Sequence, residues 1–213
     1  MDNKSKKKIA KQYDELVKKY GDNIDALHTN NARYNKEHQD IKFQFVYDQL
    51  GNYDSLLDVG CGLGHLADFC KDRGWHGKYT GIDLSGEMVD IVKKKLKTDK
   101  ILKLDILEEK YEDKHDVVAS ISTLQEKPPF EESYSYLQNM IAKMFQIAKK
   151  CLVLDIFSNK FSDYENPNNL YVNPSVFLND LYKVTNRLII LNHYNPYQLT
   201  VILYKKQLNG WSI

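Results

Sequence analysis

The fold of this chain is decided by the stretch SLLDVGCGLGHL, which covers residues 55–66. It begins with a short, mainly apolar run at residues 56–59, of the kind found in buried parallel strands. Glycine then occupies alternate positions, Gly60, Gly62 and Gly64, and apolar residues recur at helical spacing from Leu66. Such a turn lets the backbone approach a ligand closely and directs free helical N–H groups toward it. The stretch therefore predicts a ligand-binding turn, rather than an ordinary connection whose glycines are purely steric.

The glycine spacing distinguishes between two kinds of cofactor. A dinucleotide fingerprint, G-x-G-x-x-G, requires glycine at the position that His65 occupies. We therefore expect no appreciable binding of nicotinamide dinucleotides. The pattern D-x-G-x-G-x-G, which runs from Asp58 to Gly64, resembles instead the first motif of the class I S-adenosylmethionine-dependent methyltransferases.

Two later stretches resemble the same family, and the close resemblance covers residues 53–157. YTGIDLS at residues 79–85 is similar to the family's second strand, which implies that Asp83 binds the ribose hydroxyls through charge-assisted hydrogen bonds. LKLDIL at residues 102–107 is similar to its third strand, which implies that Asp105 lies beside the adenine amino group. An acid at a strand end is common, so a plain turn residue is the alternative for Asp105.

The resemblance also implies a role for the acid that precedes the glycines. Asp58 lies in an apolar strand and needs partners if it is ionised. The family pattern implies that it supports the glycine turn and the ammonium group of the cofactor. Met88 and Ile106 would be apolar walls for the adenine. The residues expected to bind S-adenosylmethionine are Asp58, Gly60, Cys61, Gly62, Gly64, Asp83, Leu84, Met88, Asp105, Ile106 and Ser122, with Arg33 and Tyr34 from the N-terminal segment.

Strand-like and helix-like segments alternate along the rest of the chain. They predict an α/β fold: a doubly wound, Rossmann-like, seven-stranded and mostly parallel sheet with N-terminal lid helices. A tight turn at Asn195-Pro196 makes the terminal strand antiparallel. The length predicts a single domain over residues 1–213. The resemblance implies that this is a methyltransferase domain, with a helical lid at 1–51 and a Rossmann-like core at 52–213. In the resembling family such helices close over the cofactor, which makes Arg33, Tyr34 and His38 candidate contacts; plain surface positions are the alternative.

Two residues are candidate catalytic bases. Methyl transfer from a sulfonium mainly needs alignment of donor and acceptor, and a base is needed only if the acceptor must lose a proton. His193 is the first candidate because it ends a strand on the ligand-binding edge; the alternative is a histidine that bonds the turn at Asn195-Pro196. Glu126 is the second, with a solvent-facing loop acid as the alternative.

The loops after the fourth, fifth and sixth strands are polar and predict a small polar acceptor. The overall pattern is similar to small bacterial methyltransferases that decorate surface polysaccharides. That resemblance implies methylation of a hydroxyl or phosphate oxygen on a sugar- or nucleotide-linked metabolite. N-methylation of a small natural product and a catalytically silent cofactor-binding scaffold remain alternatives. Residues 128–130, PPF, look like part of a DNA amino-methyltransferase motif, but Lys127 stands where that motif has an amide or acid.

Composition argues against several other functions. A net charge of +1 provides no field for nucleic acid. The three cysteines form no C-x-x-C pair, and the six histidines show no metal-ligand spacing, so we expect no metal. No apolar run approaches the ~18 residues of a membrane span and no signal peptide is apparent, so we expect a cytoplasmic protein without a membrane partner. The sequence leaves the oligomeric state open.

Overall fold

The computed structural model describes residues 3–23, 36–98, 100–126, 133–160 and 166–205. The helices within these ranges are α1 (Asn3–Tyr20), α2 (Lys36–Leu50), α3 (His65–Asp72), α4 (Gly86–Leu96), α5 (Ser133–Ile147) and α6 (Pro174–Val184). The strands are β1 (Ser55–Val59), β2 (Lys78–Asp83), β3 (Ile101–Lys103), β4 (His115–Ser120), β5 (Ala148–Ser158), β6 (Tyr171–Val172), β7 (Leu188–Leu191) and β8 (Gln198–Tyr204).

The strands form one sheet in the order β3-β2-β1-β4-β5-β8-β7. Strands β1 to β5 are parallel to one another, and β8 is antiparallel to both β5 and β7. This confirms the predicted doubly wound, mostly parallel sheet with an antiparallel terminal strand. An eighth strand, the two-residue β6, pairs with β5 inside a segment predicted as loop. The strand order reverses between β1 and β4, which is where ligands bind in open α/β sheets.

The alternation of side chains along β1 divides the core into two layers. Leu57 and Val59 pack in the apolar cluster that includes α5 and α6, while Leu56 packs in the cluster that includes α2 and α3. The strand is buried on both faces, as its continuous apolar run predicts. Asp58 shares its face with Leu56 and is therefore held within the sheet on the side of α3.

The two N-terminal helices occupy different positions. Helix α1 lies along α4, and its buried Val17 packs on Leu63 and Met88 near the carboxyl edge of the sheet. Helix α2 instead belongs to the core, because Phe43, Val46 and Leu50 are buried against the sheet and α3. Of the two helices, α1 is the one that borders the predicted cofactor position.

Local hydrogen bonding sets several element boundaries. Ser85 precedes α4, and its hydroxyl accepts from the Met88 amide at 3.2 Å, so Ser85 caps this helix. The third strand is shorter than its apolar run, since it ends at Lys103 rather than near Leu107. The Asp105 carboxylate accepts from the Leu107 amide at 3.0 Å, so this segment turns instead of extending. Among the described residues, none of the helices combines the length and apolar character that a membrane span requires.

Candidate cofactor and acceptor site

The glycine turn between β1 and α3 adopts the left-handed backbone that its sequence predicts. Gly60, Gly62 and Gly64 have φ angles of 76°, 51° and 73°, a region that glycine enters without steric cost. The amides of Gly60 and Cys61 both donate to the Ile82 carbonyl, at 2.8 and 3.0 Å. These bonds fix the turn against the carboxyl end of β2.

Asp83 ends β2 and is hydrogen-bonded to the glycine turn. One carboxylate oxygen accepts from the Gly62 amide at 2.9 Å, and the other accepts from the Ser85 amide at 2.8 Å. Burial raises the pKa of Asp83, and these backbone hydrogen bonds oppose the rise. The Leu84 amide is a third backbone donor to this carboxylate, which leaves capacity for a further donor. The Ser85 hydroxyl caps α4, so Asp83 is not needed for that role.

Asp58 lies beneath the turn, and burial is the main influence on its ionisation. It is 3% exposed, and it accepts a hydrogen bond from the Tyr79 hydroxyl at 2.7 Å. Burial raises the pKa of Asp58 to about 7, partly opposed by the bond from Tyr79. Because this value lies above the ordinary 3.8, ionising Asp58 disfavours the folded state, and the cost grows as the pH rises from 3.8 to about 7.

The other predicted cofactor residues occupy the same edge of the sheet. Met88 and Ile106 are buried at 2% and 3% exposure, and Leu84 follows Asp83 directly. Burial, with the charges of Asp83 and Asp58, raises the pKa of the Cys61 thiol and keeps it unreactive. The Asp105 carboxylate accepts from the Leu107 amide at 3.0 Å, and its position beside adenine stays a prediction. Arg33 and Tyr34 lie outside the described residues, as do residues 127–132 with the PPF stretch; His38 lies in the first turn of α2.

The loop after β4 packs directly on the glycine turn. The Thr123 hydroxyl lies 3.2 Å from the Val59 carbonyl and 3.3 Å from that of Gly60. Ser122 has a φ of 62°, an unusual conformation for a residue with a side chain. Its amide donates to a carboxylate oxygen of Asp155 at 2.5 Å, and its hydroxyl accepts from the Lys42 ammonium at 2.5 Å.

Lys42 and Asp155 are site residues that the sequence analysis did not identify. The ammonium of Lys42 lies 2.9 Å from Asp155 Oδ2, and both side chains are fully buried. Gln125 donates to the same oxygen at 2.6 Å. A signal existed in each case: Asp155 interrupts an apolar strand just as Asp58 does, and Lys42 stands in the sequence between the apolar residues Ile41 and Phe43.

Glu126 connects the loop after β4 to helix α1. The Tyr13 hydroxyl donates to Glu126 Oε1 at 2.8 Å. Burial and the charges of Glu126 and Asp83 raise the pKa of Tyr13, which indicates that the tyrosine is near both acids. A second contact docks the helix, because Asp14 accepts from the Ser85 hydroxyl at 2.5 Å. Glu126 is thus a partly buried, bonded acid rather than a solvent-facing one.

His193 lies in the turn that joins β7 to β8, and it is exposed. Its ring packs edge-on against Phe45 of α2, with centroids 5.9 Å apart, and against Tyr194. Phe45 follows Lys42 by one helical turn, so His193 lies at the same end of the sheet as the Ser122 loop. The turn itself is held by Asn195, whose side chain accepts from the Tyr197 amide at 2.9 Å.

No group of three or more histidine, cysteine or acidic side chains that could hold a metal occurs among the residues the structure describes. The cofactor-binding candidates that the structure describes and the two candidate bases lie along one edge of the sheet. The turn, Asp83 and Asp58 lie on one side of the β1/β4 switch point, and Ser122, Glu126 and the β7–β8 turn lie on the other.

Comparison with protein families gives a match over residues 56–150 to the methyltransferase domain family. Malonyl-[acyl-carrier protein] O-methyltransferase of Priestia megaterium is 28% identical over 109 residues, which cover 49% of this chain and 37% of that protein. The chain spans 21% to 37% of the length of the curated relatives that it matches here. The segment matched by the family, residues 56–150, runs from β1 into β5 and carries the glycine turn with Asp58, Asp83 and Asp105.

Solved structures share the fold at low sequence identity. Magnesium protoporphyrin IX methyltransferase from Synechocystis PCC 6803, with bound SAH, has a TM-score of 0.62 at 16% identity, over 95% of this chain and all of that one. The sugar N-methyltransferase KedS8 from Streptoalloteichus sp ATCC 53650 has a TM-score of 0.64 at 15% identity, over 86% and 93% of the two chains. The predicted fold class is therefore confirmed.

Proposed function

We propose that this chain, whose residues 56–150 match the methyltransferase domain family, is a class I S-adenosylmethionine-dependent methyltransferase that transfers a methyl group to a small polar acceptor. The observation that carries this proposal is the bond from the Gly62 amide to Asp83 at the switch point. It joins the glycine turn to an acid that can receive ribose hydroxyls. The activity and the acceptor are the parts of the proposal that experiment has to test.

The chemistry of the described residues fits this cofactor. S-adenosylmethionine supplies an activated methyl group, an ammonium group and a ribose. Asp58 offers a carboxylate whose ionisation a neighbouring cation would favour, and Asp83 offers free acceptor capacity. Met88 and Ile106 are apolar and buried, as adenine requires. The thiol of Cys61 has a raised pKa, so it does not compete as a nucleophile within the turn.

We assign the acceptor to the opposite side of the switch point. In the reaction, the acceptor oxygen forms a bond to the methyl carbon while the carbon–sulfur bond breaks and its electron pair stays on sulfur. An acceptor hydroxyl loses its proton to a base, and His193 and Glu126 are the candidates on this side. A near-neutral protein with polar loops suits a hydroxyl or phosphate oxygen on a sugar- or nucleotide-linked metabolite, of the kind used in surface polysaccharide synthesis.

N-methylation of a small molecule is the second candidate. KedS8, a sugar N-methyltransferase, matches 86% of this chain in fold. An amine that is already unprotonated needs no base, so this reaction would depend on alignment alone. A scaffold that binds the cofactor without catalysis is the third candidate, and it differs from both in its lack of turnover.

Titration with cofactors tests the proposal directly. We expect saturable binding of S-adenosylmethionine and of S-adenosylhomocysteine, and no binding of nicotinamide dinucleotides, because His65 replaces the third dinucleotide glycine. Isothermal calorimetry measures all three. Transfer of label from methyl-labelled cofactor to a metabolite extract then separates an enzyme from a scaffold. Binding of a dinucleotide without binding of S-adenosylmethionine would refute the proposal.

His193 is expected to affect turnover and not cofactor binding. If it accepts the proton of an acceptor hydroxyl, His193→Ala lowers kcat by ~10²-fold, the lower end for a lost general base. Affinity for S-adenosylhomocysteine, measured by calorimetry, should stay within about twofold of the original value. Asn192→Ala, an exposed neighbour in the same turn, is the matched control. Unchanged turnover of His193→Ala would leave alignment alone as the mechanism.

Cofactor binding near neutral pH is expected to release a proton from Asp58. In the free protein burial raises the pKa of Asp58 to about 7, so part of the carboxyl population is protonated at neutral pH. The ammonium group of S-adenosylmethionine would favour the ionised form and lower this pKa, so a net release of protons, of less than one per cofactor bound, is expected. Calorimetry at pH 7 in buffers of different ionisation enthalpy measures this number. Asp58→Asn should abolish the release, and an unchanged release would assign it to another group.

A further inference from the structure

The ion pair between Lys42 and Asp155 is more than a packing contact. Both side chains are fully buried, with the ammonium 2.9 Å from Asp155 Oδ2. Taking two charges out of water is costly, and well-packed apolar residues of similar volume are often at least as stable. Stability alone therefore does not account for this pair in the middle of an apolar layer.

Three further hydrogen bonds of the pair go to one segment, the loop that follows β4. Asp155 accepts from the Ser122 amide at 2.5 Å and from the Gln125 side chain at 2.6 Å. Lys42 donates to the Ser122 hydroxyl at 2.5 Å. Three groups of one short loop are thus bound to two buried charges.

This loop has a backbone that needs such support. Ser122 has a φ of 62°, which is unfavourable for a residue with a side chain and persists where the surroundings impose it. One residue later, Thr123 contacts the carbonyls of Val59 and Gly60 and fills the space above Gly60. The position of Ser122 therefore fixes how the loop meets the glycine turn.

We propose that Lys42 and Asp155 are positioning residues for the methyl donor. They hold the loop of Ser122 to Glu126 against the glycine turn and so align the amino-acid and sulfonium end of S-adenosylmethionine. The nucleoside end lies with Asp83 on the other side of β1 and does not depend on this pair. This inference rests on the proposed function and adds a division of the site into two independently held halves.

The test compares two ligands that share the nucleoside. S-adenosylmethionine has the sulfonium and the amino acid, whereas 5′-methylthioadenosine lacks the amino acid and the charge. The double variant Lys42→Met with Asp155→Leu removes both charges and avoids leaving either one buried alone. We expect it to bind S-adenosylmethionine ~10- to 100-fold more weakly by calorimetry and 5′-methylthioadenosine within about twofold of the original protein. Amide hydrogen exchange should also become faster in residues 121–126.

A surface variant serves as the control for the loss of an ion pair as such. Lys183→Met breaks an exposed pair with Asp180 and should change neither affinity. If the double variant loses affinity for both ligands equally, or for neither, the positioning role is overturned. If the unaltered protein does not bind S-adenosylmethionine, the proposed function itself is refuted. If the double variant does not fold, Lys42→Arg replaces it. It keeps the charge but cannot place an ammonium on Ser122, and the same selective loss is expected.

Discussion

Replacing Asp83 with alanine is expected to weaken binding of S-adenosylmethionine by about 2–3 kcal/mol, the scale of lost charge-assisted hydrogen bonds. The carboxylate is bound to the Gly62 amide at 2.9 Å and to the Ser85 amide at 2.8 Å. Its removal therefore takes away the proposed ribose acceptor and also a support of the glycine turn. Calorimetric titration of both proteins gives the difference in binding free energy.

Two further variants show whether charge or shape is responsible. Asp83→Asn keeps the size of the side chain and loses the charge, so it should fall between alanine and the original protein. Asp90→Ala removes an exposed acid of α4, the helix that follows Asp83, and should leave the affinity for S-adenosylmethionine unchanged. An Asp83→Ala protein that binds S-adenosylmethionine at the original affinity would remove Asp83 from the cofactor site.

Gly60→Ala is expected to lower the free energy of unfolding by about 2–4 kcal/mol. The φ of Gly60 is 76°, a backbone conformation that is strained for any residue with a Cβ, whatever space surrounds it. It would also stand 2.2 Å from the Thr123 hydroxyl oxygen, far inside a normal contact. Chemical denaturation followed by circular dichroism measures the change, and cofactor titration should show lost binding as well.

Gly74→Ala is the matched control for this clash. Gly74 has a φ of 85°, yet no heavy atom lies within 4 Å of its added Cβ. Gly74→Ala should lower the free energy of unfolding only by the cost of the left-handed backbone, about 1–2 kcal/mol. Combining Gly60→Ala with Thr123→Gly removes the obstructing side chain and should recover part of the loss. If Gly60→Ala is no more destabilising than Gly74→Ala, the packing of Thr123 on the turn is not tight.

Part of the site could be predicted because its requirements are local. The left-handed positions Gly60, Gly62 and Gly64 and the cap at Ser85 are set by backbone geometry over a few residues. The position of Asp83 follows, since parallel strands bring their carboxyl ends to one edge. The length of β3 could not be predicted from its apolar run, because the hydrogen bond from the Leu107 amide to Asp105 competes with extension of the strand.

His193 illustrates the limit of reasoning from strand ends. The sequence located it at the edge where ligands bind, and the structure puts it there, in the β7–β8 turn. Its packing on Phe45 could not be foreseen, because that contact depends on how α2 crosses the sheet. Its role as a base stays a prediction until turnover is measured.

The order of strands and helices, the glycine turn after β1 and the resemblance to methyltransferases could all be read from the sequence, since each depends on patterns that span a few tens of residues at most. Only the tertiary structure decided which distant side chains meet. Tyr13 and Glu126, like Lys42 and Asp155, are separated by 113 residues. Their contacts arise because α1 docks along α4 while α2 packs on the sheet beside α3. Pairing of this kind is set by the packing of whole elements, and no local periodicity encodes it.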